Sequence, residues 1–414
     1  MNKKLIVIGI AIVAITAFFG WRFVRPLNIF IVSEKFERPV STVKIPAMFK
    51  TLRAEECGTC HQQFYKEWKT TIHAQAWTDP YFQTDWKFEG SQQICKNCHI
   101  PLDRQQEHKV IGFRDKDKWD PILQPNPDFD PVLQHEGVTC AACHLREGKI
   151  LGVYGDTRAP HPVKKLQSGN EICVQCHVVS GERWDTFFRF PPCGTVAEIQ
   201  AGRGEEVAHS GETVVGDPAS LGCVGCHMPL VRRSLVAGGK VRNARQHLWR
   251  GGHDPEQVKR ALDIRFEQAS ADGRRYLLTL TNVGAAHYVP TGTPDRHFTL
   301  NVRLLDKIGK TIMEKTHVIK RTVMWRPFIV DLKDNRLPPG KPRQHEFNFS
   351  KRELHTAVAV EAIVRYGLVD KKRLERIGYK GKEALSYEVF RKQLMLSELP
   401  TQRRQGAKNT KLTK

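Results

Sequence analysis

The sequence predicts an α+β, multidomain chain. It reads as an N-terminal transmembrane helix, a mainly helical or irregular middle segment, and a C-terminal antiparallel β-sandwich. Three observations predict this. An uncharged apolar run opens the chain, five Cys-x-x-Cys-His pentapeptides crowd its middle, and runs of alternating apolar residues fill much of the rest. The 414 residues are enough for two or three domains. The expected division is 1–32 membrane anchor, 33–50 tether, 51–255 the segment carrying the motifs, 256–369 the β-sandwich, and 370–414 a basic helical or disordered tail.

The opening run follows Lys3 and Lys4 and carries no charge from Leu5 to Trp21. It is short for a membrane span and long for a signal h-region. Arg22, Arg25 and Pro26 follow, then a second mostly apolar stretch from Leu27 to Val32. No Ala-x-Ala cleavage site is present, so the reading is an uncleaved anchor, with a cleaved signal as the alternative. Charge does not orient the helix, because lysines on one side are matched by arginines on the other. Residues 33–50 contain Pro39 and Pro46 and show no period.

Ten of the 11 cysteines form the motifs: Cys57 and Cys60 with His61, Cys95 and Cys98 with His99, Cys140 and Cys143 with His144, Cys173 and Cys176 with His177, Cys223 and Cys226 with His227. Two thiols three residues apart lie on one side of a helical turn and can form thioethers to the two vinyl groups of one haem. The next histidine then reaches the iron from the same side. Zinc sites, redox dithiols and disulfides also use Cys-x-x-Cys, but none of them requires a histidine after every pair. The expected cofactors are five covalently bound c-type haems. Bacteria attach c haem outside the cytoplasm, which puts the bulk of the chain on the periplasmic side of the inner (cytoplasmic) membrane, with a single pass.

The formal charge is +21. Haem propionates, about two per haem, would neutralise roughly half of it. No nucleic-acid reader motif accompanies the charge, so nucleic acid is not an expected partner.

The motifs are irregularly spaced. Pro- and Gly-rich stretches such as Asp120 to Pro131 and Phe190 to Gly194 separate them, with a short helix expected over Gln62 to Thr71. Such chain builds no conventional core alone, and the macrocycles would supply it. After Asp254 the texture changes. Ile264 to Gln268 and Arg275 to Thr281 flank an Asp272-Gly273 turn, a hairpin signal. Further strands are expected over His297 to Leu304, Thr311 to Met324, Gln344 to Phe349 and Thr356 to Val364. From Asp370 the chain turns basic and helical, and Arg403 to Lys414 is basic without an acid.

Of the 17 histidines, five end motifs, which leaves 12 as distal candidates; methionine numbers only six. Mostly bis-histidine iron, of low potential, is expected. The segment Cys57 to Trp77, with Trp68 and His73 after the first motif, resembles the tetrahaem electron acceptors of hydroxylamine oxidoreductase, within the hydroxylamine oxidoreductase and nitrite reductase superfamily. Glu136-Gly137-Val138-Thr139, ahead of the third motif, is similar too. The resemblance covers residues 55 to about 180 and leaves a fifth haem and the β domain as additions. It implies that His73 is distal to the third haem, opposite His144, and that a histidine near His161 caps the first.

Leu221 to Pro229 resembles motifs in larger multihaem cytochromes and nitrite reductases. His247 and His253, soon after it, suit distal ligation of the fourth and fifth haems. His287 lies in a segment similar to one in the β domains of many multihaem cytochromes; it is read as a ligand or hydrogen-bond partner at the domain seam, or as a turn-stabilising residue. His108, His135 and His209 are weaker candidates. Cys193, the odd cysteine, is read as a buried structural thiol, with a haem thiolate or an intermolecular bridge as alternatives.

The expected function is periplasmic respiratory electron transport through a membrane-anchored array. The expected partners are a quinol oxidase or terminal reductase and other cytochromes. The alternative is an oxidoreductase acting on hydroxylamine, nitrite or nitric oxide at a five-coordinate haem. The resemblance places that haem at Cys95, Cys98 and His99. The lysine-ended motif of pentahaem nitrite reductases is absent. A subunit of an extracellular haem filament fits the anchor poorly.

Overall fold

The structure, a computed structural model, describes residues 3–24, 28–32, 37–155, 158–177, 183–191, 193–205 and 218–396. Arg25 to Leu27, the start of the expected tether, His209 and the basic end Arg403 to Lys414 lie outside the described residues.

The first helix spans Lys3–Val24. Its 22 residues reach about 33 Å at the usual rise, close to the thickness of a bilayer core. Its apolar window is wholly unburied. Only its last turn is docked. Arg22, 3% exposed, pairs at 2.6 Å with Asp185, which is fully buried. Phe19 meets Phe328 edge-on at 6.3 Å, and Arg326 donates to the Phe23 carbonyl.

The expected tether is corrected. Val40 bridges to Leu102, and the Thr42 amide donates to the Asp103 carboxylate at 2.9 Å. Val40, Ile45 and Phe49 pack against Leu52, Leu102, Leu133 and Leu145. These apolar residues have no period because they cover a loop surface, which hid them in the sequence. The division at residue 32 shifts as well: Phe30 and Val32, assigned to the anchor, are buried against Ile94 and Trp119.

Each motif lies on or at the end of a short helix: Ala54–Gly58, Gln93–His99, Cys140–His144, Asn170–His177 and Cys223–His227. The expected helix after the first motif is Gln62–Trp68. Among the described residues three antiparallel pairs accompany them, His108–Phe113 with Pro121–Pro125, Leu145–Arg146 with Lys149–Gly152, and Leu230–Ser234 with Val241–Arg245. Part of the stretch expected to be irregular, Pro121–Pro125, is therefore a strand. The apolar clusters in this part are small and separate.

The C-terminal part has one large core. A three-stranded sheet orders Arg343–Asn348, Arg275–Asn282 and Leu262–Gln268. A six-stranded sheet orders Ser386–Met395, Ala359–Gly367, His297–Leu305, Thr311–Met324, Ile329–Asp334 and Thr186–Phe187. Phe266, Tyr276, Leu278 and Phe347 from the first sheet share the core with Phe298, Leu300, Val364 and Tyr366 from the second. Two expectations are corrected here. Among the described residues the tail from residue 370 is helical only over Lys371–Ile377; Ser386–Met395 is an edge strand paired with Ala359–Gly367. The sheet is also not purely antiparallel, since Thr186–Phe187 joins it in parallel with Ile329–Val330.

Candidate haem sites

The five motifs pack as neighbours. Cys57 lies beside Cys140, Cys98 beside Cys176, and Cys173 beside Cys223. Cys143 is close to Cys176 as well. The array is thus continuous from the first motif through the third and fourth to the second and fifth.

Four of the motif histidines aim one ring nitrogen at a backbone carbonyl. Nδ1 of His61, His99, His144 and His227 lies 2.9, 2.6, 2.7 and 2.6 Å from the carbonyls of Leu235, Ala76, Leu151 and Arg250. A carbonyl only accepts, so Nδ1 carries the proton and Nε2 keeps its lone pair. This is the arrangement that orients a metal-ligating imidazole. His99 is further fixed by Phe82, whose ring stacks on it at 3.5 Å.

A second imidazole faces four of the five. Ring centroids are separated by 6.5 Å for His61 and His161, 6.0 Å for His144 and His247, 6.5 Å for His177 and His73, and 6.4 Å for His227 and His287. Two axial imidazoles on one metal, with bonds of about 2.0–2.1 Å, have centroids roughly 6.3 Å apart. The donor set therefore fits bis-histidine haem iron. Among the described residues no three His, Cys, Asp or Glu groups converge as a zinc site requires.

The placement differs in part from the expectations. His161 faces the first motif, as the resemblance implies. His73 faces His177 of the fourth motif and not His144 of the third. His247, expected at the fourth or fifth motif, faces His144. His287, whose role had been left open, faces His227 of the fifth. His253 pairs with none of the motif rings among the described residues; it shares Asp79 as a neighbour with His99. No described imidazole faces His99. His135 is exposed and bonds its own turn at Pro131.

The local sequence explains how these rings are held. Trp68 donates to the Val138 carbonyl at 2.8 Å, and the Val138 amide donates to the His73 carbonyl at 2.9 Å. Gly137 has φ +59°, and a Cβ there would stand 2.7 Å from the His73 oxygen. That is the physical use of the Gly-Val pair before the third motif. Glu67 receives both arms of Arg233, at 2.5 and 2.9 Å, and the His247 amide at 2.8 Å. Burial pushes the Glu67 carboxyl up, but Arg233 and the amide outweigh it and hold it below the usual range. Trp249 wedges between His73 and His247, at 5.0 and 5.1 Å.

Cys193 is exposed as a residue, while burial pushes its thiol up, so the buried-thiol expectation is not overturned. It sits at φ +60°, near enough to Cys95 and Cys98 to raise both thiols. Its position beside the second motif was not visible in the sequence.

Burial lowers the imidazole pKa values, to about 3 for His73 and about 4 for His247 and His287. The imidazolium is disfavoured in the fold, so stability is full above the unfolded value near 6.5 and is lost as pH falls toward about 4. Iron coordination deepens the same preference. The low-spin Soret band is expected to hold from pH 7 to 5 and give way below about 4. An acid titration showing loss already above pH 6 contradicts this.

The family model described as cytochrome c554 and c-prime matches residues 56–119, which span the first two motifs. No curated protein matches the chain. Among solved structures, a penta-heme cytochrome c552 from Thermochromatium tepidum shares the fold, with a TM-score of 0.58 and 17% identity over 84% of this chain and 99% of that one. The motifs and the family match over the first two of them support covalently bound c-type haem, and the solved structure shows a shared fold.

Proposed function

We propose that the chain is a membrane-anchored pentahaem cytochrome. It carries electrons through mostly bis-histidine haems on the periplasmic side of the inner membrane, between a membrane redox complex and other cytochromes. The observation that carries this is the four imidazole pairs at iron-spanning distance. When bound, c haem cycles between ferric and ferrous iron and moves one electron at a time. The chain attaches the groups, spaces them through neighbouring cysteines, and supplies neutral axial nitrogens that favour low potential. The helix is read as a retained anchor because its final turn is locked into the fold by Arg22 and Asp185. A cleaved signal has no use for a buried ion pair with the mature protein.

A second reading is favoured at one site. Among the described residues His99 faces no second imidazole, and Cys193 lies beside its motif. Small-molecule chemistry, on a substrate such as nitrite, hydroxylamine or nitric oxide, would take place at this second haem. Electron paramagnetic resonance of the oxidised protein separates the two readings. The catalytic reading gives four low-spin haems and one that changes on adding nitric oxide. Five unchanging low-spin signals sink the catalytic reading. Fewer than four low-spin signals sink the pairing.

A further inference from the structure

The foot of the N-terminal helix is more than the end of a span. Around it the globular part presents large apolar side chains to solvent: Trp184 is 62% exposed, Phe187 58% and Leu332 60%. These residues form one patch. Phe187 is opposite Val330 in the parallel pair and shares its sheet face, and Leu332, further along that strand at a register shift, is exposed as well. Phe187 also meets Phe328 at 6.2 Å, and Phe328 meets Phe19 of the helix at 6.3 Å. An aromatic ladder therefore runs from the span into the globular part without a break. Trp21 and Phe23, both exposed, complete the ring.

The patch is held rigidly to the helix. Arg22 pairs with Asp185 at 2.6 Å, Asp185 with Arg183 at 3.2 Å, and Arg183 with Asp117 at 2.6 Å. The Asp185 carbonyl accepts from the Ile329 amide at 3.1 Å, which joins this relay to the sheet edge. Arg22 also lies 5.4 Å from Trp184 and 5.3 Å from Phe328. Aromatic residues concentrate where a span leaves the hydrocarbon, because a flat ring with a polar edge suits the headgroup layer. Exposed Arg189 and Lys333 near the patch suit lipid phosphates.

We infer that Trp184, Phe187, Phe328 and Leu332 form a collar that rests in the lipid headgroup layer beside the helix, so that the globular part lies against the membrane in a fixed orientation. The occupant is the bilayer itself, because the patch is continuous with the span. This inference rests on the anchor reading and extends it. The collar also turns one motif toward the lipid. Phe30 and Val32, a few residues beyond the helix, pack with Cys95 and Cys98, and the Val32 amide donates to the carbonyl of the same Asp117 at 3.2 Å. The second motif is thereby the membrane-side end of the array.

The test uses full-length holoprotein in vesicles of phosphatidylcholine and phosphatidylglycerol doped with a diazirine-bearing phosphatidylcholine. After irradiation, lipid adducts are mapped by peptide mass spectrometry. Adducts on the peptides covering 183–189 and 326–333, as well as on the helix, are expected. Adducts on the helix alone overturn the collar and leave the anchor standing. Adducts on neither overturn both. In Asp185→Asn the adducts at 183–189 fall by about tenfold while those on the helix stay, since a lone buried Arg22 no longer holds the foot. Unchanged adducts there show that the ion pair does not hold the collar and overturn that part of the inference.

Discussion

Replacing His287 with alanine converts one haem from low-spin to high-spin and leaves the others as they were. His287 faces His227 at 6.4 Å with the rings 11° from parallel. Its Nδ1 donates to the Tyr288 carbonyl at 2.8 Å, which leaves Nε2 free to ligate. Burial keeps the ring neutral, with its pKa near 4. Alanine removes the nitrogen and opens one coordination site. His287→Met restores a sixth ligand but raises the potential of that haem alone, because a thioether donates less charge to ferric iron. The readouts are electron paramagnetic resonance and a spectroelectrochemical titration. A histidine that only stabilised its turn would move neither, so unchanged spectra in both variants refute the ligand role.

Replacing Arg336 with methionine is expected to cost about 3–5 kcal/mol of stability. Arg336 is 3% exposed and ties the two parts of the molecule together. It donates to Glu198, on the helix Thr195–Gly202, at 2.5 Å, to Asp334 at 2.8 Å and to the Pro290 carbonyl at 3.1 Å. Burial already pushes the Glu198 carboxyl up, and Arg336 is the main charge opposing that shift. Without the guanidinium, Glu198 is left as an uncompensated buried charge or takes a proton. Adding Glu198→Gln to the Arg336 variant is expected to recover part of the loss, since removing both charges is cheaper than stranding one. Denaturant titration of the holoprotein measures both. A loss below about 1 kcal/mol for the single variant would place the seam's stability elsewhere.

The motifs were legible because their chemistry is local: five residues fix two thiols and a proximal nitrogen. The Trp68 to His73 segment and the Gly137-Val138 pair were legible through the family resemblance, not through local chemistry. The distal pairing was not. His73 reaches His177, and His247 reaches His144, through folding that brings distant loops together, and no spacing in the chain encodes that. The strand Ser386–Met395 was hidden by its own charges. Lys371 to Lys382 set the reading of a basic tail, and Arg391 and Lys392 continue it, yet charged residues are what an edge strand carries to discourage pairing with other chains. The buried face, with Val389 and the flanking Phe390 and Leu394, was too short a signal against them. Trp184 and Phe187 carried no signal in the sequence, and only the fold brings them to one sheet edge.

The parallel pairing of Thr186–Phe187 with Ile329–Val330 also constrains the order of biogenesis. A chain made from its N-terminal end presents its motifs first, and all five precede Ile329. Haem ligation can therefore begin while the strand that will receive residues 186–187 has yet to emerge. The Ile329 amide donates to the Asp185 carbonyl, so this one hold on the helix foot forms only once the late strand is in place. A chain truncated before residue 329 would lack that hold on the helix foot.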